Sequence, residues 1–409
     1  MLKIRLTQNP ERSQSTDQHP RRHFTQVRTS TKILSLQMLL SCLFLTGLIL
    51  ATAVQLVLWL GVYARLARYD PDQEPASAPE EGVSVIICAR NEAENLRKNL
   101  PHILNQNYRS YEVIVVDDDS SDESEKIILS FQKNYPILRP VLVKDKKQPG
   151  KKAALSLGIK EARYEKLLLT DADCRPASSE WINRMQAAFT ENVNIVLGFG
   201  PYLTHSGFLN RFIRFETLFT AIQYLSLALL GLPYMGVGRN LAYRKSLFDR
   251  VGGFKRHGHI AYGDDDLFVS EAARGGQTAI VLQPEAFTFS EAESDWRGFY
   301  FQKSRHLSAG VHYRPVHQAL LGVSAASHFL HYACFVALLL SGDHLLMALS
   351  LFIARMAVVT WLYSRVSERF RESNLLPWIP VLDAALALYY FLFSPVLLIK
   401  TGNYTSWKQ

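Results

Sequence analysis

The sequence predicts an α/β fold with an open, mostly parallel sheet flanked by helices, and with transmembrane helices at both ends of the chain. Short apolar runs of β type alternate with helical patterns between residues 83 and 199. This alternation indicates a mostly parallel sheet that is covered on both faces. Long apolar stretches lie on either side of this region. Each is about long enough to cross a hydrocarbon core of roughly 30 Å.

The chain begins with a polar, basic segment that shows no apolar period, so we expect residues 1–32 to form a disordered tail. Residues 33–63 are almost uninterrupted apolar and too long for a signal-peptide core, which predicts a transmembrane helix. Residues 64–81 contain the Pro-rich acidic stretch DPDQEPASAPEE and form a predicted linker. We expect the α/β domain over residues 82–312, three further transmembrane helices over 313–400 and a short tail over 401–409.

The α/β domain is predicted from strands that alternate with helices. The strands are expected at Val83–Cys88, Glu112–Val116, Leu138–Val143, Leu167–Thr170 and Ile195–Phe199, and the helices at Glu92–Leu104, Asp122–Asn134, Lys151–Ala162 and Ser179–Thr190. Ligands of such sheets bind at the carboxyl ends of the strands. Polar residues gather at three of these ends, which predicts one binding site: Arg90–Glu92, Asp117–Asp119 and Asp171–Asp173.

Asp171 and Asp173 follow the apolar run Leu167–Leu169. If the strand continues through them, its period of two places both carboxylates on the same side. Two carboxylates at the rim of a sheet suit a hard divalent cation, Mg²⁺ or Mn²⁺. The alternative for so short a pattern is a pair of solvated turn residues.

The second half of the chain carries further apolar segments. Residues 208–232 are interrupted by Arg211, Arg214, Glu216 and Gln223, so we expect a helix in the membrane interface with its basic residues toward the lipid headgroups. The alternative is a full transmembrane helix. The later transmembrane helices are predicted at Val316–Leu340, Leu345–Tyr363 and Trp378–Ile399. Two of them carry one charge each, Arg355 and Asp383, and we expect these residues to form a buried pair.

The orientation follows from the basic loop Ser364–Leu376, which reads as cytoplasmic by the positive-inside rule. The α/β domain is then cytoplasmic too, whereas the basic residues 1–32 are placed outside, which the same rule disfavours. Translation from Met38 would remove this conflict, and the sequence leaves both starts, Met1 and Met38, open. We expect an integral protein of a bacterial inner membrane.

The charge, the cysteine content and one motif exclude several classes of protein and of binding partner. The net charge of +8 suits an anionic partner, such as a membrane surface or a phosphorylated substrate. No basic helix is interleaved with aromatic residues, so we expect no nucleic-acid partner. The four scattered cysteines give neither a disulfide framework nor a zinc-site spacing. The turn ARNEAEN after the first strand lacks the Gly-x-Gly-x-x-Gly pattern of nicotinamide oxidoreductases.

An ordered series of motifs between Gly82 and Gly310, over half of the chain, resembles the family 2 glycosyltransferases, including cellulose, hyaluronan and poly-N-acetylglucosamine synthase-like enzymes. The motifs are VSVIICARNEAENL (83–96), VIVVDDDSSDES (113–124), PGKKAALSLGI (149–159), TDAD (170–173), GVGRNLAYRKSLFDRVGGF (236–254), GDDDLF (263–268) and QKSRH (302–306). The resemblance implies a membrane-bound, inverting enzyme with the GT-A fold and a nucleotide-diphosphate sugar as donor. It implies a hexosyl or N-acetylhexosaminyl unit as the group transferred to a lipid, lipid-linked or growing saccharide acceptor.

The resemblance also implies roles on the donor side. The nucleobase contact falls on Asp117 or Asp118, with Asp118 favoured, and Asp173 is the expected direct metal ligand. The full set of residues implied to contact the nucleotide sugar is Asn91, Glu92, Asp117, Asp118, Lys151, Lys152, Asp171, Gln302 and Arg305.

On the acceptor side, the resemblance implies that Asp264 is the catalytic base, or Asp265 if the register slips by one. Gly263 stands where the family has Glu. Asn240 and His306 are expected near the acceptor. His306 replaces the Trp of the processive synthases, which argues for transfer of one or a few sugars, with processive synthesis as the alternative.

The residue chemistry agrees with these roles. Lys151 and Lys152, at a helix start, supply cations and amide donors for phosphate, and a partly desolvated carboxylate can serve as general base. The alternatives are a solvated basic loop for the lysines and favourable acidic residues in a helix's first turn for Asp264–Asp266. A rival of another class is an inactive membrane scaffold that keeps the fold. An oligomer or an export partner is possible.

Overall fold

The computed structural model describes residues 19–70, 81–144, 150–260 and 262–398. Residues 1–18 of the predicted tail, most of the acidic linker and the tail 401–409 lie outside these ranges. The strands are β1 (Val83–Ala89), β2 (Tyr111–Asp118), β3 (Leu138–Val143), β4 (Lys166–Asp171), β5 (Arg175–Pro176), β6 (Ile195–Leu197), β7 (Leu241–Arg244), β8 (Thr278–Ile280) and β9 (Thr288–Phe289). The helices are α1 (His19–Val57), α2 (Ala64–Arg68), α3 (Ala93–Leu104), α4 (Ser124–Gln132), α5 (Lys151–Glu161), α6 (Trp181–Ala187), α7 (Phe208–Leu229), α8 (Lys245–Val251), α9 (Asp266–Ala272), α10 (Trp296–Gly310), α11 (Pro315–Ser341), α12 (Leu345–Ser367) and α13 (Ile379–Leu398).

The main sheet has the strand order β3-β2-β1-β4-β7-β6-β8, and β5 pairs with β9 in a small second sheet. Strands β3, β2, β1 and β4 run parallel, whereas β7 is antiparallel to both of its neighbours. One face of the sheet packs against α3, α4 and α6, and the other against α5 and α7. The predicted fold class is therefore confirmed. Because β1 lies between β2 and β4, the polar ends of these strands meet at one edge of the sheet.

Helix α5 lies unusually close to the sheet. A Cβ atom on Gly158 would lie 2.8 Å from Ile86 Cγ2 and 3.0 Å from Val116 Cγ2, which is closer than side chains tolerate. Glycine therefore permits the approach. This close packing fixes the start of α5, and with it Lys151, beside the carboxyl ends of the strands.

Helix α7 differs from the interfacial helix that we expected for residues 208–232. It is buried along most of its length between the sheet and the apolar helices, rather than lying on a membrane surface. Arg214, which we expected to face the headgroups, is buried and ion-paired with Glu372, and its Nη2 atom donates to Asn374 Oδ1 at 2.7 Å. A helix that is apolar on all sides belongs in an interior, where its few charges require partners.

Four helices of the described chain are long and apolar enough to cross a membrane: Leu36–Arg68, Pro315–Ser341, Leu345–Ser367 and Ser373–Phe393. The first differs from its prediction at both ends. It continues through a π-helical segment, Leu58–Tyr63, into α2, so it ends five residues later than expected. It also begins at His19, inside the segment predicted to be disordered, because extending a formed helix gains a hydrogen bond per residue.

The predicted pair of charges between the apolar helices is present. Arg355 Nη1 donates to Asp383 Oδ2 at 2.5 Å, and both side chains are fully buried. Gln55 Oε1 accepts from Arg355 Nη2 at 3.1 Å, and Tyr332 donates to Asp383 Oδ2 at 2.7 Å. The pair thus joins α1, α11, α12 and α13.

Neutralising one partner of this pair is expected to destabilise the helices more than removing both charges. Asp383→Asn leaves Arg355 buried without its counter-ion, which costs about 3–5 kcal/mol. The double variant Arg355→Leu/Asp383→Leu removes both desolvated charges. The check is the midpoint of thermal unfolding of the full-length protein in detergent, with Asp343→Asn, in the exposed loop before α12, as control. Equal losses in the single and double variants would contradict a mutual pair.

Candidate active site

Side chains alternate between the two faces of a strand, and this alternation decides on which face of the sheet each carboxylate at the ends of β2 and β4 lies. Asp118 shares its face with Ile114 and Val116, on the side of the sheet that α5 covers, whereas Asp117 lies on the opposite face. By the same period, Asp171 extends the α5 face of β4. The favoured nucleobase residue, Asp118, therefore lies on the same face as Asp171, with the width of β1 between them.

Lys151 connects this edge of the sheet to the acidic start of α9. Its Nζ atom lies 2.7 Å from Asp171 Oδ1 and 3.2 Å from Asp264 Oδ2. Burial lowers the pKa of Lys151, but the charges of Asp171, Asp264 and Asp265 outweigh it and raise the pKa well above its ordinary value. Lys151 is thus a fixed cation between a predicted metal ligand, Asp171, and the predicted base, Asp264, which are far apart in the sequence.

Asp173 lies beside Asp171 in a group of donors that fits a divalent cation. Ligand atoms of Asp171, Asp173 and Cys174 all lie within 4.8 Å of one another. Burial and then the charge of Asp171 raise the pKa of Asp173. A bound divalent cation would relieve this repulsion, and two carboxylates suit Mg²⁺ or Mn²⁺. Because Lys151 engages Asp171, Asp173 is the better placed of the two for direct coordination.

Arg239 is a cation of this site that the sequence analysis missed. Its guanidinium stacks 4.3 Å from the centre of the Tyr202 ring, and Nη1 donates to Ser290 Oγ at 2.6 Å. Its charge acts on both Asp171 and Asp173. The only signal in the sequence was its position next to Asn240 in the motif GVGRN.

The three aspartates at the start of α9 have different environments. Asp265 caps the helix: its Oδ1 accepts from the amide of Asp266 at 2.8 Å and its Oδ2 from the amide of Gly238 at 2.6 Å. Burial and the charge of Asp264 raise the pKa of Asp265 to about 6. Since backbone amides engage both oxygens of Asp265, Asp264 is better placed to act on a substrate.

Asp266 is expected to make the fold less stable as the pH rises. Burial and the charge of Asp265 raise its pKa to about 8, although the Tyr313 hydroxyl donates to it at 2.7 Å. Between about pH 4 and pH 8 the native state therefore binds more protons than the unfolded chain, so stability falls with rising pH. From pH 6 to pH 8 we expect wild type to lose about 1–2 kcal/mol more than Asp266→Asn, in which the other buried carboxyls still titrate.

Thermal unfolding of the full-length protein at both pH values checks this expectation. Asp249→Asn, which removes an exposed carboxylate of α8, is the control and should keep the wild-type dependence. The same loss in wild type and Asp266→Asn would contradict the assignment.

The turns after β1 and β2 are joined to each other. Asn91 Oδ1 accepts from the Ser121 amide at 2.8 Å, and the Glu92 amide donates to Ser124 Oγ at 2.9 Å. Asp117 accepts from the Ser120 hydroxyl. In this structure Asn91 thus joins the turn after β1 to the turn after β2, and Asp117 stabilises the turn after β2.

Two predicted ligand contacts prove to be structural ones. Lys152 Nζ donates to the carbonyls of His257, Ile260 and Tyr262 at 2.8–2.9 Å, so its three donors hold the loop before Asp264 and are not directed at a nucleotide. Successive residues of a helix point in directions about 100° apart, which separates Lys152 from Lys151. Asn240 is fully buried and bonds Phe199, Ala286 and Trp181, so it does not contact an acceptor.

Helix α10 contributes the remaining predicted residues. The Arg305 guanidinium lies 5.8 Å from the centre of the Tyr262 ring, and Gln302 is partly buried. Desolvation, followed by the positive charges of Lys303, Arg305, Arg239 and Lys151, lowers the pKa of His306 well below its ordinary value. Two of these cations, Lys151 and Arg239, also act on Asp171.

This chain is similar to known glycosyltransferases in sequence and in fold. Residues 84–252 match the family described as glycosyl transferase family 2. The chain is 27% identical over 235 residues to the probable glycosyltransferase YdaM of Bacillus subtilis, a match covering 54% of each chain. It is 37% identical over 93 residues to the poly-beta-1,6-N-acetyl-D-glucosamine synthase of Staphylococcus epidermidis, covering 23% of this chain and 22% of that enzyme. The chain thus spans about half or less of the length of these curated relatives.

Among solved structures, the fold is similar to the mannosyltransferase PcManGT from Pyrobaculum calidifontis, which was solved in complex with GDP-Man and Mn²⁺. The TM-score is 0.53 at 20% identity, over 85% of this chain and 99% of that one. The matched family, the motifs and the shared fold lead to one conclusion. Residues 84–252 are similar to a glycosyl transferase family 2 domain, and the chain has the GT-A fold.

Proposed function

We propose that this protein is a membrane-bound, inverting glycosyltransferase with a nucleotide-diphosphate sugar as donor. It transfers a hexosyl or N-acetylhexosaminyl unit to a lipid, lipid-linked or growing saccharide acceptor. The observation that carries the proposal is the position of Lys151 between Asp171 and Asp264. This contact joins the residues proposed to bind the donor to the residue proposed to activate the acceptor.

The proposed reaction is a single displacement. Asp264 removes the proton from an acceptor hydroxyl, whose oxygen bonds to the anomeric carbon while the bond from that carbon to the diphosphate oxygen breaks. Attack opposite the leaving group inverts the anomeric configuration without an enzyme nucleophile. Lys151, Arg239 and Arg305 stabilise the negative charge of the leaving nucleoside diphosphate.

A divalent cation, Mg²⁺ or Mn²⁺, bound by Asp173 with Asp171, would neutralise charge on the departing diphosphate. The complex of the structurally similar mannosyltransferase PcManGT with GDP-Man and Mn²⁺ supports this use of metal. Asp118, on the same face of the sheet, is proposed to contact the nucleobase. The joined turns at Asn91 and Glu92 then shape the nucleobase side of the cleft.

The apolar helices support an acceptor presented by a membrane. Four helices are long enough to span it. Helix α7 packs between them and the sheet, and α10 contacts α13. We propose that the catalytic domain lies on the cytoplasmic side of a bacterial inner membrane, because the last turn of α12 carries Arg365 and the loop after it carries Arg369 and Arg371.

A second candidate is processive polymer synthesis, which the similarity to a poly-beta-1,6-N-acetyl-D-glucosamine synthase favours. His306, where processive enzymes have Trp, favours short products instead. The mass distribution of the products separates the two, because a processive enzyme yields long chains before the acceptor is exhausted.

The test of the proposed function is to incubate membranes containing the full-length protein with labelled nucleotide sugars, extracted lipids and Mg²⁺ or Mn²⁺. We expect label in a lipid or saccharide product with one donor of the panel, and its loss when a chelator is added. Transfer that persists without any divalent cation would refute the metal-dependent mechanism. Membranes containing Asp264→Asn provide the background.

A substitution of Lys152 distinguishes two roles for this residue: holding the loop that positions Asp264, or binding the nucleotide. Lys152→Met frees the loop that precedes Asp264, so we expect kcat to fall about tenfold or more because the base is misplaced. The KM for the nucleotide sugar should stay within about twofold. Lys160→Met, at the far end of α5, is the matched control. A large rise in KM with unchanged kcat would show that Lys152 contacts the donor after all.

A further inference from the structure

Away from the proposed catalytic residues, a cavity of about 580 Å³ lies where the first and third apolar helices end. Helix α2 forms one wall with Ala67 and Arg68, and the end of α12 forms the other. The residues of the α12 side are Trp361, Ser364, Arg365, Glu368 and Arg369. We call this cavity the α2–α12 groove. None of its residues belongs to the proposed catalytic site.

The groove is basic and polar. Three arginines and one glutamate give its lining a formal charge of +2, and the Ser364 hydroxyl adds a hydrogen-bond group. Arg68 and Arg365 are exposed, so their guanidinium groups are open to a ligand. Guanidinium groups bind phosphate through paired, charge-assisted hydrogen bonds.

The groove also lies at the level expected for lipid headgroups. Both of its walls are the ends of candidate membrane spans, Leu36–Arg68 and Leu345–Ser367. Trp361 is 40% exposed on the membrane side of the arginines, as is typical of a residue at the boundary between hydrocarbon and headgroups. Basic pockets between spans at this level suit anionic lipid headgroups.

The groove is connected to the catalytic domain. Arg369 donates to the carbonyls of Leu66 and Tyr69, which ties α12 to the end of α2. The next residue, Phe370, packs with its ring centre 4.7 Å from that of Phe199 in the catalytic domain. Two residues later, Glu372 holds the buried Arg214 of α7. A ligand that fixes Arg68 and Arg365 relative to each other also fixes this junction.

We propose that the α2–α12 groove binds the phosphate headgroup of an anionic membrane phospholipid, which stabilises the junction between the spans and the catalytic domain. The ligand is a lipid rather than a soluble phosphate, because Trp361 and the membrane-side ends of α2 and α12 border the arginines of the groove. This inference goes beyond glycosyl transfer. It holds or fails independently of the donor and acceptor.

Native mass spectrometry of the full-length protein in detergent tests the proposal. Phosphatidylglycerol is titrated against phosphatidylcholine and against diacylglycerol, which lacks phosphate. We expect preferential retention of phosphatidylglycerol, weakened about tenfold or more in Arg68→Gln/Arg365→Gln, since each charge-assisted contact is worth about a factor of ten.

The matched control is Arg65→Gln/Arg371→Gln, which removes the same charge from exposed neighbouring positions that do not line the groove. We expect it to keep retention within about threefold. The charge-retaining pair Arg68→Lys/Arg365→Lys should retain phosphatidylglycerol better than the groove Gln pair but less well than wild type, because Lys keeps the charge and loses the paired hydrogen bonds. It also shows that substitution at these sites permits folding. Equal losses in the two Gln pairs would indicate general attraction to anionic bilayers and overturn the proposal. Unchanged retention of phosphatidylglycerol by Arg68→Gln/Arg365→Gln would also overturn the proposal. So would binding of soluble glycerol phosphate as tight as that of phosphatidylglycerol.

Discussion

Asp264→Asn is expected to lower kcat for glycosyl transfer by about 10³-fold or more, because an amide cannot accept the proton of the acceptor hydroxyl. The KM for the nucleotide sugar should change little, since the donor contacts are proposed to come from other residues. Lys151 keeps its ion pair with Asp171 at 2.7 Å, so the start of α5 should remain in place.

The measurement is steady-state transfer by the full-length protein in membranes, with the donor identified by the panel experiment. Asp249→Asn, an exposed carboxylate of α8, is the control for loss of one negative charge. Asp265→Asn is a second comparison, because its carboxylate caps α9 and should affect stability as well as rate. If Asp264→Asn keeps wild-type kcat while Asp265→Asn loses it, the base is Asp265.

Asp173→Asn is expected to abolish metal-dependent transfer, with a fall in kcat/KM of about 10³-fold or more. The carboxylate supplies negative charge to the cation that offsets the leaving diphosphate, and an amide oxygen is a much weaker ligand. Raising the Mn²⁺ concentration should recover part of the rate, because a weakened site still fills at high metal concentration. A variant that keeps wild-type activity at low Mn²⁺ would place the metal elsewhere.

Several features of this protein follow directly from local patterns. The strands are apolar runs that alternate with amphipathic helices, and the parallel order then brings the ends of β2 and β4 together on either side of β1. The period of two also explains why Asp118 shares a face with Asp171 and Asp117 does not. The pairing of Arg355 with Asp383 could be predicted because an isolated charge inside a membrane requires a partner.

Other features depend on contacts between distant segments, which no local pattern encodes. Lys152 resembles Lys151 in the sequence, yet it bonds carbonyls more than a hundred residues later, and Asn240 bonds only the core. Helix α7 has the composition of an interfacial helix, but the spans that bury it come from both ends of the chain. Arg239 is a single basic residue within a loop, and only the folded chain places its charge near Asp173.

The central claim is that Asp171 and Asp173 hold a divalent cation against a nucleoside diphosphate in the cleft that contains Asp264. The most direct test is electron paramagnetic resonance of Mn²⁺ titrated into the full-length protein in nanodiscs, with and without a nucleoside diphosphate. We predict that wild type and Asp264→Asn bind Mn²⁺ more tightly when the diphosphate is present, and that Asp173→Asn loses this binding. Binding of Mn²⁺ by Asp173→Asn with wild-type affinity would contradict the claim.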